Sequence, residues 1–392
     1  MELKGLFIKT EAQKEWLKKL CEKEDAIKEK AAETDELAIF PVNQIKELVD
    51  IGYSQITLPK KYGGGGLGVY EMVLFQETLA SFDGSTALAI GWNLGVIGDL
   101  FEKKLWKEEA LSTFADEVLN GSLINRSVSE AITGSPARGG RPGTNAIRKD
   151  GHWIINGRKS FTTASPVLTH FLTSAWIEEK QKIGFFLLHK DLPGLSIDET
   201  WDVISMRGTG SHDLVLENVL VDSSKLVELP DKPAGNYNGW MLHIPAAYLG
   251  IAQAARDYAV NFANHHTPNS LNGPISELPN VQQHIGKIDL KLTQARHVIY
   301  SVAEAYDDEN RRNLLTNEVE VAKYTVTNLA IEIVDLAMRI VGAKSLSRKN
   351  PLQRYYRDVR AGLHNPPMDD MTIQRLAKTA IANEKQNEII KS

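Results

Sequence analysis

Hydrophobic positions change their period twice along this 392-residue chain. Between Ser122 and Val221 they alternate with a period of two. Thr144–Lys149, His152–Asn156, Phe171–Trp176, Gly184–Leu188 and Asp213–Val221 read as short strands. Asp150-Gly151 lies between two of them and supplies the positive φ angles that a two-residue hairpin turn needs. On both sides of this block the period is helical. Glu11–Glu33 places Trp16, Leu17 and Leu20 on one face and predicts one amphipathic helix. Pro41 opens a second helix, which Gly52 is placed to end. The glycine run Gly63–Gly66, then Gly68, breaks regular structure before helices over Val69–Ala80, Ser85–Phe101 and Trp106–Leu119. After Val221 the segments Trp240–Ala263, Asn280–Asn310, Asn313–Val341 and Met371–Ile390 predict a four-helix bundle, with Pro-rich His265–Pro279 as a loop.

The pattern divides the chain into an all-helical region over 1–121, a β-module over 122–232 and a helical bundle over 233–392, an α+β architecture. Composition narrows the function classes. A net charge of −5 leaves no basic footprint for nucleic acid. Cys21 is the single cysteine, so intramolecular disulfides and thiolate metal clusters drop out. Adjacent His265-His266 lacks a third ligand, and no metal is expected. Met1–Thr10 has no signal-peptide layout and no apolar run is long enough to span a bilayer, so a soluble cytoplasmic protein is the expectation.

Candidate chemistry sits at the ends of the central strands. Ser127-Val128-Ser129-Glu130, followed by Thr133-Gly134-Ser135, offers hydroxyls and unencumbered amides to carbonyl or phosphate oxygens; the alternative is a polar turn. Gly157-Arg158-Lys159-Ser160-Phe161-Thr162-Thr163 puts an aromatic ring beside two threonine hydroxyls. That suits a flat heteroaromatic ligand, and it also describes an ordinary strand.

Order and spacing add what each piece lacks. Leu58-Pro59 with its glycines, Ser129-Glu130 with Gly134-Ser135, and Asp150-Gly151 through Gly157 come first. Phe161-Thr162-Thr163, Trp201, Met206-Arg207-Gly208-Thr209, Ser211-His212-Asp213 and Tyr356-Arg357-Asp358 follow. In this sequence the chain resembles the acyl-CoA dehydrogenase superfamily over nearly its whole length. The resemblance implies an N-terminal helical domain, a small central β-barrel and a C-terminal four-helix bundle. It implies a flavin, usually FAD with FMN as the alternative, in a homotetramer. Carried over by position, Val128 and Ser129 lie at the flavin ring, Ser129 and Thr163 donate toward it, and Phe161 takes the family's tryptophan position. Gly134 and Ser135 line the pyrophosphate or the substrate channel, and Gly342 belongs to the stretch that touches a partner subunit's cofactor.

The departures concern catalysis. The family's glutamate, which removes the α-proton, follows the Arg-Asp pair. Here Ala361–Thr372 contains no glutamate. Asp369 or Asp370 is a candidate for a relocated base, and both also suit the cap of the last helix. His364 with Asn365-Pro366 resembles the histidine of the family's flavin-monooxygenase branch, where reduced flavin and oxygen react; the alternative is a loop histidine at a domain junction. The first bundle helix, where some members carry their base, reads Trp240-Met241-Leu242-His243, and Asn93 stands where the monooxygenase branch often has a pocket histidine. Arg207 reads as structural and Arg357-Asp358 as an interdomain ion pair. The leading expectation is FAD-dependent α,β-dehydrogenation of an acyl-CoA or acyl thioester, with an electron-transfer partner. The alternatives are two-component monooxygenation of a small apolar substrate with a flavin reductase, and a flavin-binding member without turnover.

Overall fold

The computed structural model describes residues 2–134, 140–230 and 238–391. Six helices come first: α1 (Glu11–Cys21), α2 (Glu24–Leu37), α3 (Val42–Asp50), α4 (Val69–Phe82), α5 (Gly84–Lys103) and α6 (Glu108–Leu119). Strands follow as β1 (Ile124–Ser127), β2 (Asn145–Lys149), β3 (His152–Lys159), β4 (His170–Ile177), β5 (Lys182–His189), β6 (Leu195–Asp198), β7 (Asp213–Asp222) and β8 (Leu226–Glu228). The chain then returns to helix with α7 (His243–His265), α8 (Pro279–Asp307), α9 (Glu309–Arg312), α10 (Glu318–Val341), α11 (Pro351–Asp358) and α12 (Asp369–Lys391). No helix among the described residues is long and apolar enough to cross a membrane.

The single helix expected over Glu11–Glu33 is two. Glu22 and Lys23 leave the helix and close it with bonds to Lys18 and Leu20. The bend lets α2 reach both α4 and the turn at Arg207–Thr209 while Leu17, Leu20, Ile27 and Ala31 stay buried. Thr10 opens α1 with a capping box shared with Gln13.

The strands form one mixed sheet in the order β6-β7-β3-β2-β4-β5-β8, with β1 parallel to β4. Asp150 (φ 50°) and Gly151 (φ 80°) make the β2–β3 turn with both central residues left-handed, as a type I′ hairpin requires. Trp153, Ile155, Phe171, Phe186, Leu214 and Val219 face the core.

Helices α7, α8 and α10 pack on one another, α7 and α8 also pack on α4, and α12 leans on α10. Close approach of α7 to α4 depends on Gly250. A Cβ there would lie 2.3 Å from the Glu77 carbonyl oxygen and 2.6 Å from the Ala80 Cβ. Beneath this contact Arg296 of α8 donates to Glu77 of α4 at 2.9 and 2.8 Å, and the Tyr300 hydroxyl donates to the other Glu77 oxygen at 2.5 Å. Burial pushes the Glu77 carboxyl up, but Lys4, Arg296 and Tyr300 outweigh it and hold the group below its ordinary value.

One loop fastens sheet to helices. Arg207 donates to the Asp35 and Val203 carbonyls at 2.6 and 2.7 Å. Arg357 of α11 pairs with Asp35 of α2 and donates to the Ile204 carbonyl at 2.6 Å. The Met206 amide donates to the Asp358 carboxyl at 2.6 Å, and burial pushes that carboxyl up to about 7 against the pull of Met206 and Arg354. The segment 201–211 is thereby tied to both α2 and α11.

Candidate functional site

Strand β1 starts beside α5, where Asn93 accepts from the Ile124 amide and donates to the Ser54 carbonyl, both at 2.9 Å. Asn93 therefore sets the start of β1. The loop after β1 is pinned twice. The Ser160 amide donates to the Ser129 carbonyl at 2.9 Å, and Glu130 forms a two-way backbone bridge with Gly134, whose φ is +76°. The Glu130 carboxylate accepts from Lys159 Nζ (2.7 Å), the Thr144 amide (3.0 Å) and hydroxyl (2.7 Å), the Gly143 amide (2.6 Å) and the Thr133 hydroxyl (2.6 Å). Burial raises this carboxyl, but its donors more than offset that and bring it to about 2. Glu130 is thus the knot that holds the Ser127–Ser129 loop against the end of β3. Ser135 lies outside the described residues.

At the other side of that knot Phe161 sits in the left-handed region, with φ +57°. Its ring is 63% exposed and meets Trp201 edge to face, 5.9 Å between centroids. The backbone around it is held by protein alone. Thr162 N–H donates to the His212 carbonyl at 3.1 Å, Ala164 N–H to the Thr209 carbonyl at 2.9 Å, and Asn125 Nδ2 to the Thr163 carbonyl at 3.1 Å. The Thr163 hydroxyl lies 2.9 Å from that of Ser211, which lies 2.9 Å from that of Thr209. Burial lowers the His212 imidazole below its ordinary value, and its Nδ1 accepts from the Trp201 amide at 3.1 Å.

The donor set fits a flavin ring. Ser127 Oγ, Ser160 Oγ and Thr162 Oγ1 are buried without a partner among the described residues, and buried hydroxyls call for one. Ser160 and Thr162 flank the exposed Phe161 in sequence, and a flat ring bearing carbonyl oxygens and ring nitrogens would supply partners to such hydroxyls. Phe161→Ala and Thr163→Val are each expected to weaken flavin binding about tenfold, the scale of one aromatic or hydrogen-bond contact. Fluorescence titration measures this, and unchanged affinity in both variants would misplace the ring.

The sequence candidates separate into groups. Ser129, Phe161 and Thr163 come together, with half-buried Val128 beside Ser129. Gly342 caps α10 with φ +68° and is exposed in the bundle. His364, Asp369 and Asp370 lie at the α11–α12 connection. His364 is exposed, while the neighbouring Asn365 side chain is bonded by the Tyr248 hydroxyl. Asp369 starts α12 and is 27% exposed. One of its oxygens accepts from Asn328 at 2.9 Å; the other is 3.5 Å from Lys323 Nζ and has no hydrogen bond. Burial lowers the Lys323 ammonium and Asp369 pulls it back up. Just before α7, Trp240 packs on Gly98 and donates to Glu102 at 3.0 Å, and at the start of α7 His243 fits between Gly91 and Gly95 with both ring nitrogens unpartnered among the described residues. Burial drives that imidazole down to about 3.

Lys159, Lys323, Thr209 and Ser211 were not singled out as site residues from the sequence. Lys323 carries a readable signal, because a lysine flanked by Val319, Ala322 and Val326 lies on the apolar face of its helix.

Three family models match in series: acyl-CoA dehydrogenase N-terminal domain at residues 9–103, middle domain at 126–219 and C-terminal domain at 242–363. The putative acyl-CoA dehydrogenase YdbM of Bacillus subtilis (strain 168) is 58% identical over 377 residues, covering 96% of this chain and 99% of its own. L-evernosamine nitrososynthase of Micromonospora sp. is 27% identical, covering 92% of this chain and 89% of its own. Among solved structures, KijD3 in complex with FMN and a dTDP-linked amino keto sugar superposes with a TM-score of 0.82 at 26% identity, over 95% of this chain and 94% of that one.

Proposed function

The chain belongs to the acyl-CoA dehydrogenase family, and on that footing we propose a flavin-dependent dehydrogenase of acyl thioesters with Asp369 as its base. The observation that carries this is the half-buried Asp369 carboxylate in the segment where the resemblance calls for a glutamate. Asn328 fixes one oxygen, and the other is buried 3.5 Å from Lys323 Nζ with no hydrogen bond among the described residues. Such an oxygen can take the α-proton of a thioester. Lys323 and Asn328 orient the carboxylate. Ser129 and Thr163 hold the flavin edge and Phe161 covers its face. Bound flavin supplies the two-electron acceptor; FAD, a homotetramer and an electron-transfer partner complete the proposal.

The test is anaerobic titration of the flavin-loaded protein with a panel of acyl-CoAs, followed by visible absorbance. Bleaching of the oxidised band is expected, slowed at least about a hundredfold in Asp369→Asn and retained in Asp370→Asn, the scale of losing a general base. Bleaching that persists in Asp369→Asn removes Asp369 from the role.

The exposed His364 ring favours a second reading, two-component monooxygenation with FMN, in keeping with the similarity to a nitrososynthase. It predicts no bleaching by any acyl-CoA, together with oxygen consumption coupled to substrate when a reductase supplies reduced flavin, lost in His364→Ala.

A further inference from the structure

Three hydroxyls in a row end on a carbonyl that does not need them. Thr163 Oγ1 and Ser211 Oγ are 2.9 Å apart, Ser211 Oγ and Thr209 Oγ1 are 2.9 Å apart, and Thr209 Oγ1 is 2.9 Å from the Met206 carbonyl oxygen. In both hydroxyl–hydroxyl bonds either oxygen is able to donate. All three residues are buried, so bulk water does not complete their bonding. Each hydroxyl has one proton, so the row has two self-consistent polarities. In one, Thr163 donates to Ser211, Ser211 to Thr209 and Thr209 to Met206, which leaves Thr163 facing the site as an acceptor. In the other, Thr209 donates to Ser211, Ser211 to Thr163 and Thr163 into the site.

Buried rows of this kind are normally locked by the group at their far end. Here the lock is absent. The Met206 carbonyl also accepts from the Trp201 indole at 3.2 Å and from the Thr209 amide at 3.1 Å. Those two donors share the oxygen with the Thr209 hydroxyl and remain when it turns away, so no buried acceptor is left unmet. Backbone bonds from Ala164 to Thr209 and from Asn125 to Thr163 hold the three side chains in place while their protons rotate.

We propose that Thr163, Ser211 and Thr209 form a reversible hydrogen-bond wire whose polarity follows the redox state of the flavin, with Ser211 and Thr209 as positioning residues that set its potential. This rests on the reading that Thr163 touches the flavin ring. Thr163 would donate to a ring nitrogen that is bare in oxidised flavin, and would accept from the same nitrogen once uptake of two electrons and one proton had placed hydrogen on it. Only a row able to reverse satisfies both states; no proton is transferred along it, and each hydroxyl merely rotates.

The consequence is read as a midpoint potential, by anaerobic titration of flavin-loaded protein against a reference dye. In Ser211→Ala the Thr163 proton has no acceptor when the flavin is reduced, whereas donation to oxidised flavin survives. In Thr209→Val the same holds one step along, for the Ser211 proton. Each variant is expected to shift the reduced-to-oxidised ratio about tenfold toward oxidised flavin, about 30 mV more negative for a two-electron couple. Thr209→Ser keeps the hydroxyl and is expected to keep the wild-type potential. Affinity for oxidised flavin should stay within about threefold in all variants, since the outward polarity is intact. An unmoved potential in Ser211→Ala and Thr209→Val, with flavin bound at wild-type affinity, overturns the wire and leaves the flavin site standing. Wild-type protein that binds no flavin overturns both.

Discussion

Glu130→Ala is expected to cost about 3–5 kcal/mol of stability, the penalty of leaving a buried charge without its partner, and to abolish tight flavin binding with it. The stranded group is Lys159, whose side chain is fully buried and whose remaining bond is a 3.1 Å contact with the Ser174 hydroxyl. Chemical denaturation reads the first effect and fluorescence titration the second, because the same knot positions the Ser129 carbonyl for Ser160. Wild type and variant should also differ in their acid response. The folded carboxyl at about 2 lies below its ordinary 4.5, so its contribution is full above about pH 4.5 and lost as pH falls through 2. That window is worth about 3 kcal/mol. Denaturation curves of wild type and Glu130→Ala should converge over it. Parallel curves between pH 5 and 2 would remove Glu130 from the acid response.

Arg296→Met should be comparably severe, about 3–5 kcal/mol, by exposing the buried Glu77 carboxylate to an apolar surround with Tyr300 and Lys4 as its remaining partners. The pair spans α4 and α8, so the N-terminal helices and the bundle loosen together. A second change, Glu77→Gln, removes the stranded charge and should recover most of the loss in urea unfolding. Losses that simply add in the double variant would mean the two side chains act separately.

What the sequence disclosed was mainly what is local. Asp150-Gly151 announced its hairpin because left-handed φ is a property of two residues. The five longer strands showed themselves through alternation, whereas β6 and β8, three or four residues long and only partly buried, carry too few positions to display a period. The break at Glu22–Lys23 was invisible because Leu20 and Ile27 keep the spacing of an unbroken helix. Helix α11 is short and packed mostly by charged and aromatic residues, so no apolar stripe marked it. In the candidate site, the order of motifs along the chain is what points to Ser129, Phe161 and Thr163. The bonds that organise them are not legible in that order. Glu130 meets Lys159 across 29 positions, and Thr163 meets Ser211 across 48. Pairings of that range depend on how the strands before and after these residues are placed in the sheet, which periodicity does not encode. The same holds for Asp369, whose partners Lys323 and Asn328 come from a helix about 40 residues earlier in the chain.

The fastening of residues 201–211 to α2 and α11 also has a thermodynamic meaning. The backbone of Phe161 and Thr163 is bonded to His212, Thr209 and Asn125, and that loop is in turn fixed to Asp35 and Asp358. The chain around Phe161 and Thr163 therefore carries its order before any ligand arrives. Ligand association then has little conformational entropy left to overcome and little surface to fold away. Calorimetry should accordingly find a heat-capacity change set by the buried ring alone, without the larger negative value of coupled folding.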